Sequence, residues 1–217
     1  MPYADRHSRE TRWDAARMVV LLLILIAALP LRAQDPSASA PPGPRIALII
    51  ANGTYAAPKD RLVGPMHDAV VLRKALGDAG FKGIDGDAVP TVVIDANLAE
   101  MQRRIARLRD ALTEAGGLAL GLIYFSGHGG ANAAGGQNYL LPVDTPDIER
   151  SSIERHGLSV GKITTIMSDI DPNRRPGIVL VIDACRVTPR AAGAGRGGPA
   201  PLAPPMAGAV PLRDMLV

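Results

Sequence analysis

Cys185 is the sole cysteine of the 217-residue chain, and it follows Asp183 and Ala184 at the end of an apolar run, residues 177–182. His128 stands in a similar place. It lies in the sequence Ser126, Gly127, His128, Gly129, Gly130, directly after an apolar run at 118–125. A thiol becomes a nucleophile when its thiolate is populated, and a neighbouring imidazole does this. The same imidazole can later protonate the leaving amine. The backbone N–H groups of Gly129 and Cys185 would lie where an oxyanion is held. These residue types suggest acyl transfer by a Cys–His dyad. A single cysteine is also an ordinary small buried residue, but its place at a strand end, after an acidic residue, argues for a nucleophile.

The elements around these residues must bring them to one edge. A continuous apolar run bounded by glycines reads as a central parallel strand. Open α/β sheets carry their chemistry past the carboxyl ends of such strands. Both runs are therefore expected to end at the site. The glycines around His128 are expected to form a tight turn that lets backbone approach a ligand. Upstream, Ile46 to Ala51 reads as the first strand, with Asn52 and Gly53 turning the chain. A helix is expected over 66–79, with Gly80 as its stop. Residues 91–94 read as a strand. Asn97 is placed to cap a helix that ends at Gly116 and Gly117, with Glu100 as its capping-box partner. The arginines on that helix read as a solvated face. Tyr139 to Pro142 reads as a short extended piece, and a third helix runs from Ser159 or Val160 to Ile170. Strand and helix alternate as in a doubly wound α/β layer.

The ends differ from this middle. Arg6, Arg9, Arg12 and Arg17 precede an apolar run at 18–29, and Leu31, Arg32 and Ala33 follow Pro30. That is the order of a secretory signal peptide. The run is short of the ~20 residues that span a bilayer, so cleavage after Ala33 is expected, with no membrane association afterwards and a periplasmic or secreted location. Removing residues 1–33 takes away five arginines and three acidic residues, which leaves the remaining chain nearly neutral. Nothing in that balance points to a nucleic-acid partner. With one cysteine an internal disulfide is excluded. Residues 34–44 read as a Pro/Ala/Ser-rich linker, 45–188 as the catalytic domain, and 189–217 as an Ala/Gly/Pro-rich low-complexity tail. A formal G-x-G-x-x-G at Gly193, Gly195 and Gly198 has no strand before it and no helix after it, so it is discarded.

The local sequences go further than the spacing. Tyr124, Phe125, Ser126, Gly127, His128, Gly129 and Asp183, Ala184, Cys185, Arg186 resemble the catalytic motifs of the caspase-like cysteine peptidases, closest to the bacterial metacaspase and orthocaspase branch. Ile49 to Asn52, Met66 to Ala69 and Tyr139 to Asp144 match in the same order, so the resemblance covers residues 45–186. It implies a three-layer α/β/α sandwich with a mostly parallel central sheet. It implies His128 as general base and Cys185 as nucleophile. By position, Asp68, Asp183 and Ser126 match residues that line the primary specificity pocket of metacaspases. An anionic pocket would select Arg or Lys before the scissile bond, so the implied partners are proteins or peptides with basic residues.

Some members of that branch need calcium. Asp85, Asp87, Asp169 and Asp171 have no EF-hand-like spacing, so no metal is assigned and no cofactor is expected. Serine hydrolysis through Ser126 fails, because a nucleophile elbow needs glycine where Tyr124 stands. After Arg186 the family continues with strands and specificity loops, whereas the Ala/Gly/Pro segment arrives here, so a truncated or frame-shifted end is expected. The rival reading is a catalytically inactive caspase-like interaction or signalling module, incomplete at its C-terminus.

Overall fold

A computed structural model describes residues 43–132, 137–146, 148, 153–187 and 215–216, with 185–187 and 215–216 described through the backbone alone. The chain divides into two units, Met1–Pro41 and Pro42–Val217. The expected signal peptide, most of the linker, and all of the expected tail except Met215 and Leu216 lie outside the described residues.

Within the second unit, the described residues form one mixed sheet. Its strands are β1 (Arg45–Ala51), β2 (Phe81–Lys82), β3 (Thr91–Ile94), β4 (Leu120–Ala131), β5 (Asn138–Leu140), β6 (Leu158–Ser159), β7 (Gly177–Val187) and β8 (Met215–Leu216). β1 is apolar from Ile46 onward and buried on both faces, as a central parallel strand must be. It pairs in parallel with β2 and β3 on one side and with β4 on the other. β7 pairs in parallel with β4 along its whole length, and β8 with β7 at Ile178 and Val179. β1 stops opposite Ser126. Beyond it, the vacated side of β4 is taken by the antiparallel β5, which pairs in turn with β6.

The helices cover both faces. Side chains alternate along β1. Ile46, Leu48 and Ile50 share a core with Ile123 and Phe125 of β4, with Met101, Ile105, Leu108 and Leu112 of α2 (Leu98–Ala115), and with Ile163 and Met167 of α4 (Val160–Ser168). Tyr124 and Ser126 project to the opposite face, where α1 (Gly64–Asp78) packs on β1 and β4. The result is the expected α/β/α sandwich with a mostly parallel sheet. The helix ends follow from sequence. Asn97 Oδ1 accepts from Glu100 N at 2.8 Å, and Gly116 ends α2 at φ 85°. Ser159 Oγ accepts from Lys162 N at 3.1 Å to start α4. A short helix α3 (Ile153–His156) precedes β6.

Several expectations are corrected. The glycines around His128 do not form a tight turn. Residues 126–131 continue β4, and among the described residues positive φ glycines are confined to Gly80, Gly86 and Gly116. Pairing with β7 on one side and β5 on the other keeps this stretch extended. Likewise Asp183 to Arg186 continues β7 rather than leaving it. The capping box is half made: the Glu100 carboxylate turns to Arg103 and Arg104, whose charges outweigh one backbone N–H. β2, β6 and β8 had no signal, being two residues each.

Candidate active site

The pairing of β4 with β7 sets Ser126 opposite Asp183 and His128 opposite Cys185. Neighbouring strands lie about 4.8 Å apart, so the expected base and nucleophile share one rung of the ladder. Both stand where β4 and β7 have run past the end of β1, at the carboxyl edge of the parallel sheet.

The imidazole of His128 is held from one side. Nε2 lies 2.8 Å from the carbonyl oxygen of Asp60. A carbonyl only accepts, so Nε2 carries a proton, and in the neutral ring Nδ1 is then the nitrogen with the lone pair. Nδ1 is buried and has no hydrogen-bond partner among the described residues. A buried imidazole nitrogen with a free lone pair is poised to take a proton. Asp60 sits in a short 3-10 turn, Pro58–Asp60, and its carboxylate accepts from Ile148 N at 3.4 Å.

Four side chains on the α1 face of the sheet form a second group. Ser126 Oγ donates to Asp68 Oδ2 at 3.1 Å, and the Tyr124 hydroxyl donates to Asp183 Oδ2 at 3.0 Å. Burial pushes the Asp68 carboxyl up from its ordinary value; the Ser126 hydrogen bond opposes this, and Asp183 adds to it. Burial also pushes the Tyr124 phenol far up, with Asp183 and Asp68 adding to it, so it stays protonated and donates. Each carboxylate thus has one oxygen engaged by a hydroxyl. Two carboxylates at one end of the sheet make a local anionic surface suited to a cation.

All the residues expected at the site, Asp68, Ser126, His128, Gly129, Asp183 and Cys185, belong to this end of the sheet. Asp68 lies inside α1 rather than at its cap, which is Val63. Gly129 and Cys185 lie within paired strands. Sequence reading missed four residues. Tyr124 read as a strand residue at the start of the histidine motif, with no role of its own. Asn52 read as a turn, yet it is fully buried: its Nδ2 donates to the carbonyls of Ala96 and Leu141, and its Oδ1 accepts from Ala96 N. Tyr55 and Asp60 lie in a polar loop with no periodicity, and nothing local marked them.

Three of the four acidic residues weighed as calcium ligands are otherwise engaged. Asp85 pairs with Arg104 and Arg107, Asp169 with Arg109, and Asp171 accepts from Asn173 N. Among the described residues no group of three or more His, Cys, Asp or Glu converges. A hollow of about 140 Å³ beside Gly129, Tyr139, Ile182 and Ala184 is lined by none of the polar site residues.

No curated protein matches the chain. A family model described as Caspase domain matches residues 44–207, more than half of the sequence. The chain therefore belongs to the caspase-domain family of cysteine-type peptidases.

Proposed function

We propose that the protein is an exported cysteine endopeptidase of the metacaspase and orthocaspase branch that cleaves after Arg or Lys. The observation that carries this reading is the rung that sets His128 opposite Cys185, with Nδ1 of His128 buried and without a hydrogen-bond partner among the described residues. Nδ1 takes the thiol proton of Cys185, and the sulfur attacks the scissile carbonyl carbon to form a C–S bond. The backbone N–H groups of Gly129 and Cys185, released from the β4–β7 ladder when substrate binds, hold the oxyanion. Collapse breaks the C–N bond, and the amine leaves with the proton from Nδ1. Water then gives a proton to Nδ1 and attacks the thioester. The acid product leaves, and the proton returns to sulfur.

Asp68, Asp183 and Ser126 form the pocket for the basic side chain. The carboxylate oxygens not engaged by Ser126 and Tyr124 remain for the substrate's nitrogens. The substrates are proteins or peptides with basic residues, and neither nucleic acid nor membrane is a partner of the processed chain. Residues 1–33 act as the export signal, and the protein works in the periplasm or outside the cell. Mass spectrometry of the exported protein is expected to find an N-terminus near Gln34; full-length protein in the membrane fraction would overturn this.

Fluorogenic peptides ending in Arg, Lys or Asp test the activity. Wild type is expected to cut after Arg and Lys but not Asp, and Cys185→Ala, His128→Ala and Asp183→Ala to be inactive. Hydrolysis surviving Cys185→Ala removes the mechanism. Hydrolysis after Asp removes the pocket while leaving the dyad. No hydrolysis by wild type, with or without added calcium, favours a non-catalytic module.

A further inference from the structure

We propose that Tyr55 is a positioning residue for the proposed dyad reaction: its phenol fixes the height and tilt of the His128 imidazole so that Nδ1 is presented to the thiol. The inference rests on the dyad reading and deepens it. Tyr55 is 1% exposed, and both hydrogen-bonding roles of its hydroxyl are directed at the strands around the histidine. The oxygen accepts from His128 N at 2.8 Å, and the proton goes to the carbonyl of Leu141 at 3.0 Å. Leu141 N in turn donates to the carbonyl of His128 at 2.9 Å. One phenol therefore bridges the two segments that bracket the imidazole. Its ring also stands edge-on to the imidazole, with centroids 4.7 Å apart and planes at 62°.

The geometry separates Tyr55 from an ordinary core tyrosine. A core phenol needs one partner for its hydroxyl, whereas this one holds the histidine through backbone and ring together. Burial raises the Tyr55 phenol's pKa well above its ordinary value, so it stays protonated and keeps donating to Leu141. Asp60, whose carbonyl fixes the Nε2 proton, comes from the same short segment. That segment is tied down by Leu62 N to Gly53 O at 2.9 Å and by Asp95, which accepts from Gly53 N and Thr54 N. The imidazole is thus gripped at Nε2 and along one side by a single anchored loop. A misplacement of about 1 Å in a catalytic group costs on the order of a hundredfold in rate.

The test uses the full chain, whose sole cysteine makes alkylation by iodoacetamide site-specific. In wild type the alkylation profile is expected to have a midpoint below the roughly 8.5 of a free thiol, and His128→Ala is expected to abolish that shift. Tyr55→Phe keeps the ring and removes only the hydroxyl. Its midpoint is expected to move toward the free-thiol value, and kcat on an Arg peptide to fall about tenfold or more with KM within about twofold. Tyr139→Phe, which loses a hydroxyl bonded to Gln137 in the same small core, is expected to leave profile and kcat unchanged. A Tyr55→Phe profile and kcat matching wild type, while His128→Ala still shifts the profile, would overturn the inference and leave the dyad standing. A wild-type profile that is ordinary and indifferent to His128→Ala removes the dyad reading, and the inference with it. Amide exchange in the unaltered chain gives a readout independent of any variant's folding. The His128 N–H is expected to be as protected as its β4 neighbours, and exchange at the rate of an open amide would refute the clamp.

Discussion

Ser126 and Asp68 are joined across 58 residues of sequence by a 3.1 Å hydrogen bond that ties β4 to α1. The bond opposes, without cancelling, the burial that raises the Asp68 carboxyl. A raised carboxyl favours its protonated form in the folded state. Its penalty is absent below the ordinary carboxylate range, near ~3.9, and grows as pH rises through the folded value. Asp68→Asn is therefore expected to be more stable than wild type at pH 7, with the gap closing as pH falls toward 4. Urea denaturation across that range checks it; a less stable variant at pH 7 would contradict the burial argument. The same variant is expected to lose cleavage after Arg and Lys, which would place the strain of the partly buried carboxylate in the service of binding.

Asp95 titrates in the opposite sense. It sits at φ 52°, and its Oδ1 accepts from both Gly53 N and Thr54 N at 2.8 Å. Burial acts to raise its carboxyl, but the hydrogen bonds from Thr54 and Gly53 outweigh burial and hold it below the ordinary value. The stability it contributes is present above the ordinary carboxylate range and lost as pH falls through the lowered folded value. Asp95→Ala is expected to cost about 1–2 kcal/mol at pH 7, and less at pH 3. Denaturant titrations at the two pH values compare the gaps; a constant gap would mean the carboxylate's charge plays no part.

Tyr124 offers a test of the pocket that spares both carboxylates. Its hydroxyl fixes Asp183 Oδ2 at 3.0 Å. Tyr124→Phe frees that carboxylate to rotate, so part of the binding energy goes to ordering it again. KM for Arg peptides is expected to rise roughly threefold to tenfold, with kcat within about twofold, the signature of lost uniform binding. Steady-state kinetics would reject the pocket assignment if KM held and kcat fell.

The sheet frame and the two central residues were legible because their signals are local. The apolar runs before Ser126 and Asp183 mark buried parallel strands, and His128 and Cys185 follow at their ends. What holds the histidine was not legible. Tyr55 and Asp60 act through contacts to residues 73 and 68 positions away, and Asn52 reaches 89 residues to Leu141. Such contacts leave no periodicity in a short polar loop. The glycines near His128 misled for a related reason. A glycine signals either a turn or a close approach, and at Gly127 the deciding neighbour comes from that same loop.

Gly127 itself carries the sharpest packing prediction. A Cβ there would stand 2.7 Å from Tyr55 Oη, 2.9 Å from Phe125 Cζ and 3.2 Å from Asn52 Cβ. Phe125 and Asn52 are fully buried, and Tyr55 is held by two hydrogen bonds, so none of the three can yield cheaply. Gly127→Ala is expected to cost about 1–3 kcal/mol by overpacking. The backbone there is ordinary strand, so the cost is steric rather than conformational. The closest of the three contacts is with the phenol oxygen, which Tyr55→Phe removes. The double variant Tyr55→Phe, Gly127→Ala should therefore be less destabilised than the sum of the two singles. Residues in direct contact depart from additivity by more than the roughly 0.3–0.5 kcal/mol seen for independent sites. Urea denaturation of wild type, both singles and the double closes the cycle. Additivity within that margin would show that the alanine methyl is accommodated by some other movement, and that Tyr55 does not set the space beside His128.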